Sequence, residues 1–166
     1  MTEPSPVELL TSEHRTDGFD CGSPELDRYL QRHALMNQGA GGARTYVVHE
    51  DLRVVGYHSL AAGGVAREEA PERVATGMAR HAIPVIILAR LAVDREHQGE
   101  GLGAALLKDA LVRAAGAAEE IGVRAVLVHA KDEGAKRFYE HFDFEPSPTN
   151  PLHLLLLMKD LRNWLG

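Results

Sequence analysis

Apolar and polar residues alternate along Ala43–His49 and again along Arg53–Leu60, on either side of Glu50-Asp51. That period of two predicts a β-hairpin. Val7–Leu10 reads as a short strand before it. Between these strands, Ser23-Pro24 opens a predicted helix over Glu25–Asn37, with Ser as N-cap and Pro at the first helical position. The glycine-rich stretch from Gly39 to Gly42 ends it. Ile83–Val93 and Val123–His129 are compact apolar runs rich in β-branched residues, the pattern of buried strands. A helix over Leu102–Ala118 joins them. Asp132 is a candidate N-cap for another helix, in which Ala135, Phe138 and Phe142 share one face by their spacing. Leu152–Lys159 reads as a late strand. Residues 61–82 carry the weakest pattern, a short helix around Pro71–Arg80. Strands, then alternating helix and strand, then a final strand predict a mixed α/β sheet with helices on both faces, as a single domain over residues 1–166.

Composition narrows the class. A chain of 166 residues buries roughly 70% of its unfolded surface, enough for a sizeable core. Cys21 is the single cysteine, so no internal disulfide forms and a reducing cytoplasm is the expected setting. The start Met-Thr-Glu-Pro has neither a basic nor an apolar leader pattern. The leucine-rich run Leu152–Met158 is far short of the ~20 residues that span a bilayer, so no membrane association is expected. Nine histidines are present, but none falls at metal-ligand spacing with another His or Cys, and no metal is expected.

The chemistry concentrates in the stretch after the central strand. Gly99, Gly101 and Gly103 stand at alternate positions before a helix. Glycines let backbone N–H groups approach a ligand, and the positive end of the helix dipole favours anions, so this is a candidate phosphate cradle. Three known loops compete for it. A P-loop needs Gly-Lys-Ser or Gly-Lys-Thr, which Leu102-Gly103-Ala104 does not supply. Gly99-x-Gly101-x-x-Ala104 fits the dinucleotide fingerprint, with Glu119 and Glu120 downstream, but that motif follows a strand directly and here Asp94–Gln98 intervene. The third is Gln98-x-x-Gly101-x-Gly103, which resembles the pyrophosphate loop of the GNAT acetyltransferases.

The second half of the chain extends that resemblance. Asp132-x-x-Ala135-x-x-x-Tyr139, followed by Asp143-Phe144, is similar to the GNAT segment Asn-x-x-Ala-x-x-x-Tyr with its Gly-Phe corner. Asp replaces Asn at the first position, and Asp143 replaces the usual glycine. Asp tolerates the left-handed backbone a helix stop needs. The N-terminal half, from Phe19-Asp-Cys-Gly through Leu26, Tyr29 and Leu30 to Arg44–Val48, resembles a narrower branch, as do Leu88–Val93 and Pro151–Met158. That branch holds the GNAT toxins of toxin–antitoxin pairs, which acetylate the amino group of aminoacyl-tRNA.

The resemblance implies a GNAT fold: a mostly antiparallel sheet with a splayed parallel pair at its centre, acetyl-CoA as co-substrate, and direct acetyl transfer. By the same resemblance, the backbone of Leu91, Ala92 and Val93 pairs with the pantetheine arm. Gln98, Gly99, Glu100, Gly101, Leu102, Gly103 and Ala104 hold the pyrophosphate. Asp132 and Phe138 complete the cofactor site, and Tyr139 protonates the departing thiolate. Aminoacyl-tRNA, a DNA-binding antitoxin and a second copy of the chain are the partners implied. A protein or small-molecule amine is the alternative acceptor, and a non-catalytic acyl-CoA-binding module the alternative class. No side chain stands out as a general base, since Glu100 and Glu133 read as solvated surface and His97 as a turn histidine. Charge argues against tRNA: the chain carries a formal −6, with nine acids against five basic residues in the first 60. Arg44, Arg80, Arg90, Arg95, Lys131, Lys136 and Arg137 are the candidates for a local basic rim.

Overall fold

A computed structural model describes residues 3–79 and 81–166, so Arg80 of the candidate rim lies outside the described residues. Seven strands form one sheet in the order β1-β2-β3-β4-β5-β7-β6. Strand β1 spans Glu8–Leu9, β2 Arg44–Glu50, β3 Arg53–Val65, β4 Ile83–Val93, β5 Ala125–His129, β6 Glu145–Pro146 and β7 His153–Leu157. Only β4 and β5 run parallel among the described pairs; the others are antiparallel. The chain divides into two compact units, residues up to 61 with 89–110, and residues 62–88 with 111–166.

In the first unit the predicted hairpin forms around Asp51 and Leu52, both at positive φ (49° and 71°), the backbone that matches the twist of the flanking strands. Helix packing follows the alternation of β2. Val47 joins Tyr57 and Ala92 under Leu26, Tyr29, Leu30 and Ala34 of the N-terminal helical segment. Val48, on the other face, packs with Val55 against Leu102 and Leu106 of helix α4, Leu102–Ala117. The N-terminal helix differs from the expectation. It is interrupted: α1 covers Pro24–Arg28, a π turn covers Tyr29–His33, and α2 covers Ala34–Gly39. The Ser23 hydroxyl makes no cap hydrogen bond. Asp27 reaches back past the helix start and accepts the Cys21 N–H at 2.9 Å, which ties the preceding chain to the first turn.

In the second unit β3 runs on to Val65, through residues whose composition shows no strand pattern. Gly63 permits this, because a Cβ there would stand 2.3 Å from Ile87 Cδ1. Helix α3 is only Glu72–Ala75, shorter than expected. It is held by two arginines that take up its C-terminal carbonyls: Arg124 donates to those of Val74, Arg73 and Thr76, and Arg67 to those of Ala75 and Met78. Helix α5 spans Glu133–His141. The late strand stops at Leu157 and turns directly into α6, Met158–Leu165, which buries Met158 and Leu161 one turn apart. Neither α6 nor the short β6 is anticipated by the sequence pattern.

Candidate active site

Strand β4 delivers the chain to Asp94, which is 3% exposed. Its carboxylate accepts the Glu96 N–H at 3.1 Å and the Asp20 N–H at 3.3 Å, fixing a 3-10 turn over Arg95–His97. The Gln98 side chain then donates to the carbonyls of Val93 (2.9 Å) and Cys21 (3.1 Å). Gln98 therefore staples the loop to the strand end through its side chain. Gly99 and Gly101 follow at φ +84° and +83°, and a Cβ on either would meet nothing within 4 Å. The glycines are required by the backbone, and the space beside them is open. Leu102 then begins the 16-residue helix α4, which has no acidic residue in its first turn. Its first N–H groups lack intrahelical partners by construction, and they carry the positive end of the helix dipole. Such a loop can receive an anion.

Behind that loop, Leu91 and Val93 pack on one face of β4 and Ala92 is buried on the other. Asp109 of α4 bonds His58 of β3 at 2.8 Å, with the histidine fully buried. His97 bonds Glu50 at 3.1 Å, which makes it a structural turn residue as the sequence suggested. Arg90 lies over the Tyr29 ring at 3.5 Å, and Arg95 pairs with Asp20 at 3.0 Å.

The second unit carries the other candidates. The Asp132 carboxylate accepts the Ala135 N–H at 2.8 Å and caps α5. Asp143 closes that helix with φ at 69°. Between these ends Phe138 is half-buried and Tyr139 is 6% exposed. The Tyr139 ring meets Phe138 and Phe144 edge-on, at 5.2 and 5.5 Å. Burial pushes its phenol above the ordinary tyrosine value, so it stays protonated at neutral pH. Tyr57 is pushed the same way, but its hydroxyl is committed to the Leu26 carbonyl at 2.7 Å. Among the described residues no hydrogen bond engages the Tyr139 hydroxyl.

Two features have no precursor in the sequence pattern. His129 and His153 face each other across the β5–β7 ladder and stack at 3.9 Å with ring planes 10° apart. The sequence signal was present only as two histidines that the register makes opposite. The other is a cluster of Glu8, His14 and His49, whose ligand atoms lie within 4.8 Å of one another. Its protonation argues against a metal. His14 Nδ1 accepts the Thr11 N–H at 2.9 Å and His49 Nδ1 accepts the Leu52 N–H at 3.1 Å. Each ring therefore carries its proton on Nε2 and donates it to Glu8, leaving no lone pair there for an ion.

Comparison with known proteins identifies the family. The family model of the acetyltransferase (GNAT) domain matches residues 41–146. A tRNA-acetylating toxin of Mycobacterium tuberculosis is 55% identical over 148 residues, 89% of each chain. Among solved structures, AtaT complexed with acetyl-methionyl-tRNAfMet superposes with a TM-score of 0.90 at 26% identity, covering 99% of this chain and 100% of that one. A variant of the toxin AtaT bound to the C-terminus of its antitoxin AtaR and acetyl-CoA gives 0.82 at 27% identity, covering 98% and 97%.

Proposed function

This chain belongs to the GNAT acetyltransferase family, and from that premise we propose that it acetylates the α-amino group of aminoacyl-tRNA. It is an N-acetyltransferase with acetyl-CoA as co-substrate. The observation that carries the acceptor is the 55% identity to a tRNA-acetylating toxin across 89% of both chains. An antitoxin that binds this chain and a cytoplasmic setting, where charged tRNA is used, follow from the same reading. No helix among the described residues is long and apolar enough to cross a membrane.

In this reading the Gly99–Ala104 loop and the first turn of α4 hold the pyrophosphate through backbone N–H groups. Gln98 keeps that loop in place through its two carbonyl contacts. The backbone of Leu91, Ala92 and Val93 pairs with the pantetheine arm, and Asp132 and Phe138 support the cofactor side of α5. Acetyl-CoA supplies the activated thioester. Tyr139 gives its proton to the thiolate as it leaves, a step that matters because a thiolate of ordinary thiol pKa ~8.5 leaves poorly from a dry site. The acceptor suits a weakly basic apparatus. An α-amine of pKa ~8 is roughly one-tenth neutral at pH 7, whereas a lysine amine of pKa ~10.4 is neutral in only about one molecule in 2,500.

Labelled acetyl-CoA incubated with charged total tRNA tests the acceptor, with deacylated tRNA as control. Label on the aminoacyl ester is expected. The formal charge of −6 favours a second acceptor class, a protein or small-molecule amine. Label on that class and none on tRNA would replace the first reading with the second.

A further inference from the structure

The transfer reaction needs somewhere for the attacking nitrogen to leave its proton, and the site so far contains only a donor. The second unit contains a cavity of about 240 Å³ that answers this need. At roughly 30 Å³ per water, it has room for an aminoacyl group. Val65, Ile87, Leu127 and Leu155 give it an apolar floor, and its polar groups are Glu69, His129, Ser147 and His153.

Two of those four groups, Ser147 and His153, are committed by hydrogen bonds, and Glu69 is the acidic one. The Ser147 hydroxyl donates to the Glu69 carbonyl at 2.5 Å. Glu69, on the turn Arg67–Glu69, is exposed, and its carboxylate is the one charged group lining the cavity. His153 is pinned by Asn150. Asn150 Oδ1 accepts the Leu152 N–H at 3.1 Å, which orients the amide so that Nδ2 donates to His153 Nε2 at 3.2 Å. In this arrangement His153 Nε2 accepts and its ring proton sits on Nδ1. His129 remains. Among the described residues neither of its ring nitrogens is hydrogen-bonded, and its edge is exposed. It is the last residue of β5, one position past the final pair, Leu88 with Val128, of the parallel β4–β5 ladder. Partial burial, and then the neighbouring His153, hold its imidazole below the ordinary histidine value. It is thus the free base at neutral pH.

We infer that His129 is the general base of the transfer, with His153 stacked behind it as a positioning residue and the cavity receiving the acceptor's aminoacyl group. This rests on the acetyltransferase reading and adds the missing proton acceptor. As the nitrogen–carbon bond forms, the nitrogen gives its proton to His129. The carbon–sulfur bond then breaks, and the sulfur takes the Tyr139 proton. His129 returns its proton through solvent to the tyrosinate, so neither residue is changed at the end of the cycle.

The test compares wild type with His129→Ala and His129→Gln, following thiol release from acetyl-CoA with two acceptors, charged total tRNA and an aminoacyl ester. The acid limb of kcat should lie below pH ~6.5 in wild type. In both variants kcat at pH 7 should fall by about 10²-fold, the limb should move towards the acceptor amine near pH ~8, and free imidazole should restore His129→Ala. Because His129 sits exposed at a strand end, calorimetric acetyl-CoA affinity should be unchanged. Variants that keep the wild-type rate and limb overturn the inference. So does a fall in kcat with no shift of the limb and no imidazole rescue, since that is what a purely structural role gives. Failure of the tRNA reading is separate: wild type would then release thiol with the ester and not with tRNA, and His129 would be judged on the ester by the same criteria.

Discussion

Replacing Tyr139 with phenylalanine deletes one oxygen from a ring that is 6% exposed and held edge-on between Phe138 and Phe144. The packing survives, because the ring keeps its shape and its two aromatic neighbours. The deleted hydroxyl has no hydrogen-bond partner among the described residues, so its loss leaves nothing orphaned and stability should change by about 1 kcal/mol or less. Acetyl-CoA affinity should be equally insensitive, since the proposed role of the phenol begins only as the thiolate departs. Turnover is the sensitive quantity. Loss of a positioned general acid costs 10²-fold or more, about 2.7 kcal/mol of transition-state stabilisation. The assay is thiol release at saturating acetyl-CoA, with calorimetry and thermal melts run alongside. The pH profile adds a second constraint. Burial holds the phenol above the ordinary tyrosine value of ~10. The protonated, competent form is lost only as pH rises through that raised value, so the wild-type rate should show no alkaline limb below pH ~10. A phenylalanine variant with full turnover in a chemistry-limited assay, or a wild-type alkaline limb near pH 8, would refute the assignment.

Three further outcomes follow from the loop, the histidine cluster and the basic residues. Gly101 stands at φ +83° beside open space, so Gly101→Asp should strain the turn, place a carboxylate against the pyrophosphate and abolish calorimetric acetyl-CoA binding; unchanged binding would remove the loop from the site. The Glu8 carboxyl is held below its ordinary value by the hydrogen bonds of His14 and His49, so its contribution is present above the unfolded carboxylate pKa of ~4.3 and lost as pH falls below it. The melting-temperature gap between wild type and Glu8→Gln should therefore narrow on acidification from pH 6 to 3, and a constant gap would contradict the cluster. Lys131→Glu should weaken tRNA use and lower the slope of log K against log salt by about one, with acetyl-CoA affinity unchanged; equal loss of both would mean that Lys131 serves the fold.

The parts of this molecule that were legible are those where one residue type has one physical job. The run Ile83–Val93 is strand β4 to the residue, because a long apolar segment without glycine or charge until Arg90 has few other ways to bury itself. Asp132 caps α5 with its side chain, and Asp143 takes the left-handed backbone that its substitution for glycine demands. Features that depend on partners distant in sequence stayed hidden. The four-residue α3 exists because Arg67 and Arg124, on either side of it in sequence, take up its carbonyls. Ser23 stands at the N-cap before Pro24, but its hydroxyl makes no cap bond, and the nearby Asp27 carboxylate instead holds the Cys21 N–H. Gln98 was legible as a motif position, while its actual bonds run to two carbonyls, one of them 77 residues away. The histidine pair is the clearest case: His129 and His153 become one group only when the β5–β7 register sets them opposite each other.

The charge objection to a tRNA substrate weakens once charge is located. Counted by unit, five of the six net negative charges fall in residues up to 61 with 89–110, and only one in the unit that carries Tyr139 and His129. Within that second unit the cations divide by use. Arg73 is paired with Asp160 and Glu145, while Arg67 and Arg124 are bound to carbonyls of α3 and its neighbours. Lys131, Lys136 and Arg137 flank or lie in the first turns of α5, the helix that presents Tyr139. Exposed charges are screened over about 8 Å at physiological salt, so an approaching phosphate responds to the local charges, here these three cations together with Asp132, Glu133, Glu140 and Asp143, rather than to the formal total. A net −6 argues against indiscriminate binding along a nucleic acid. It does not argue against a few phosphate contacts beside the helix that carries Tyr139, which is all that delivery of one aminoacyl end requires.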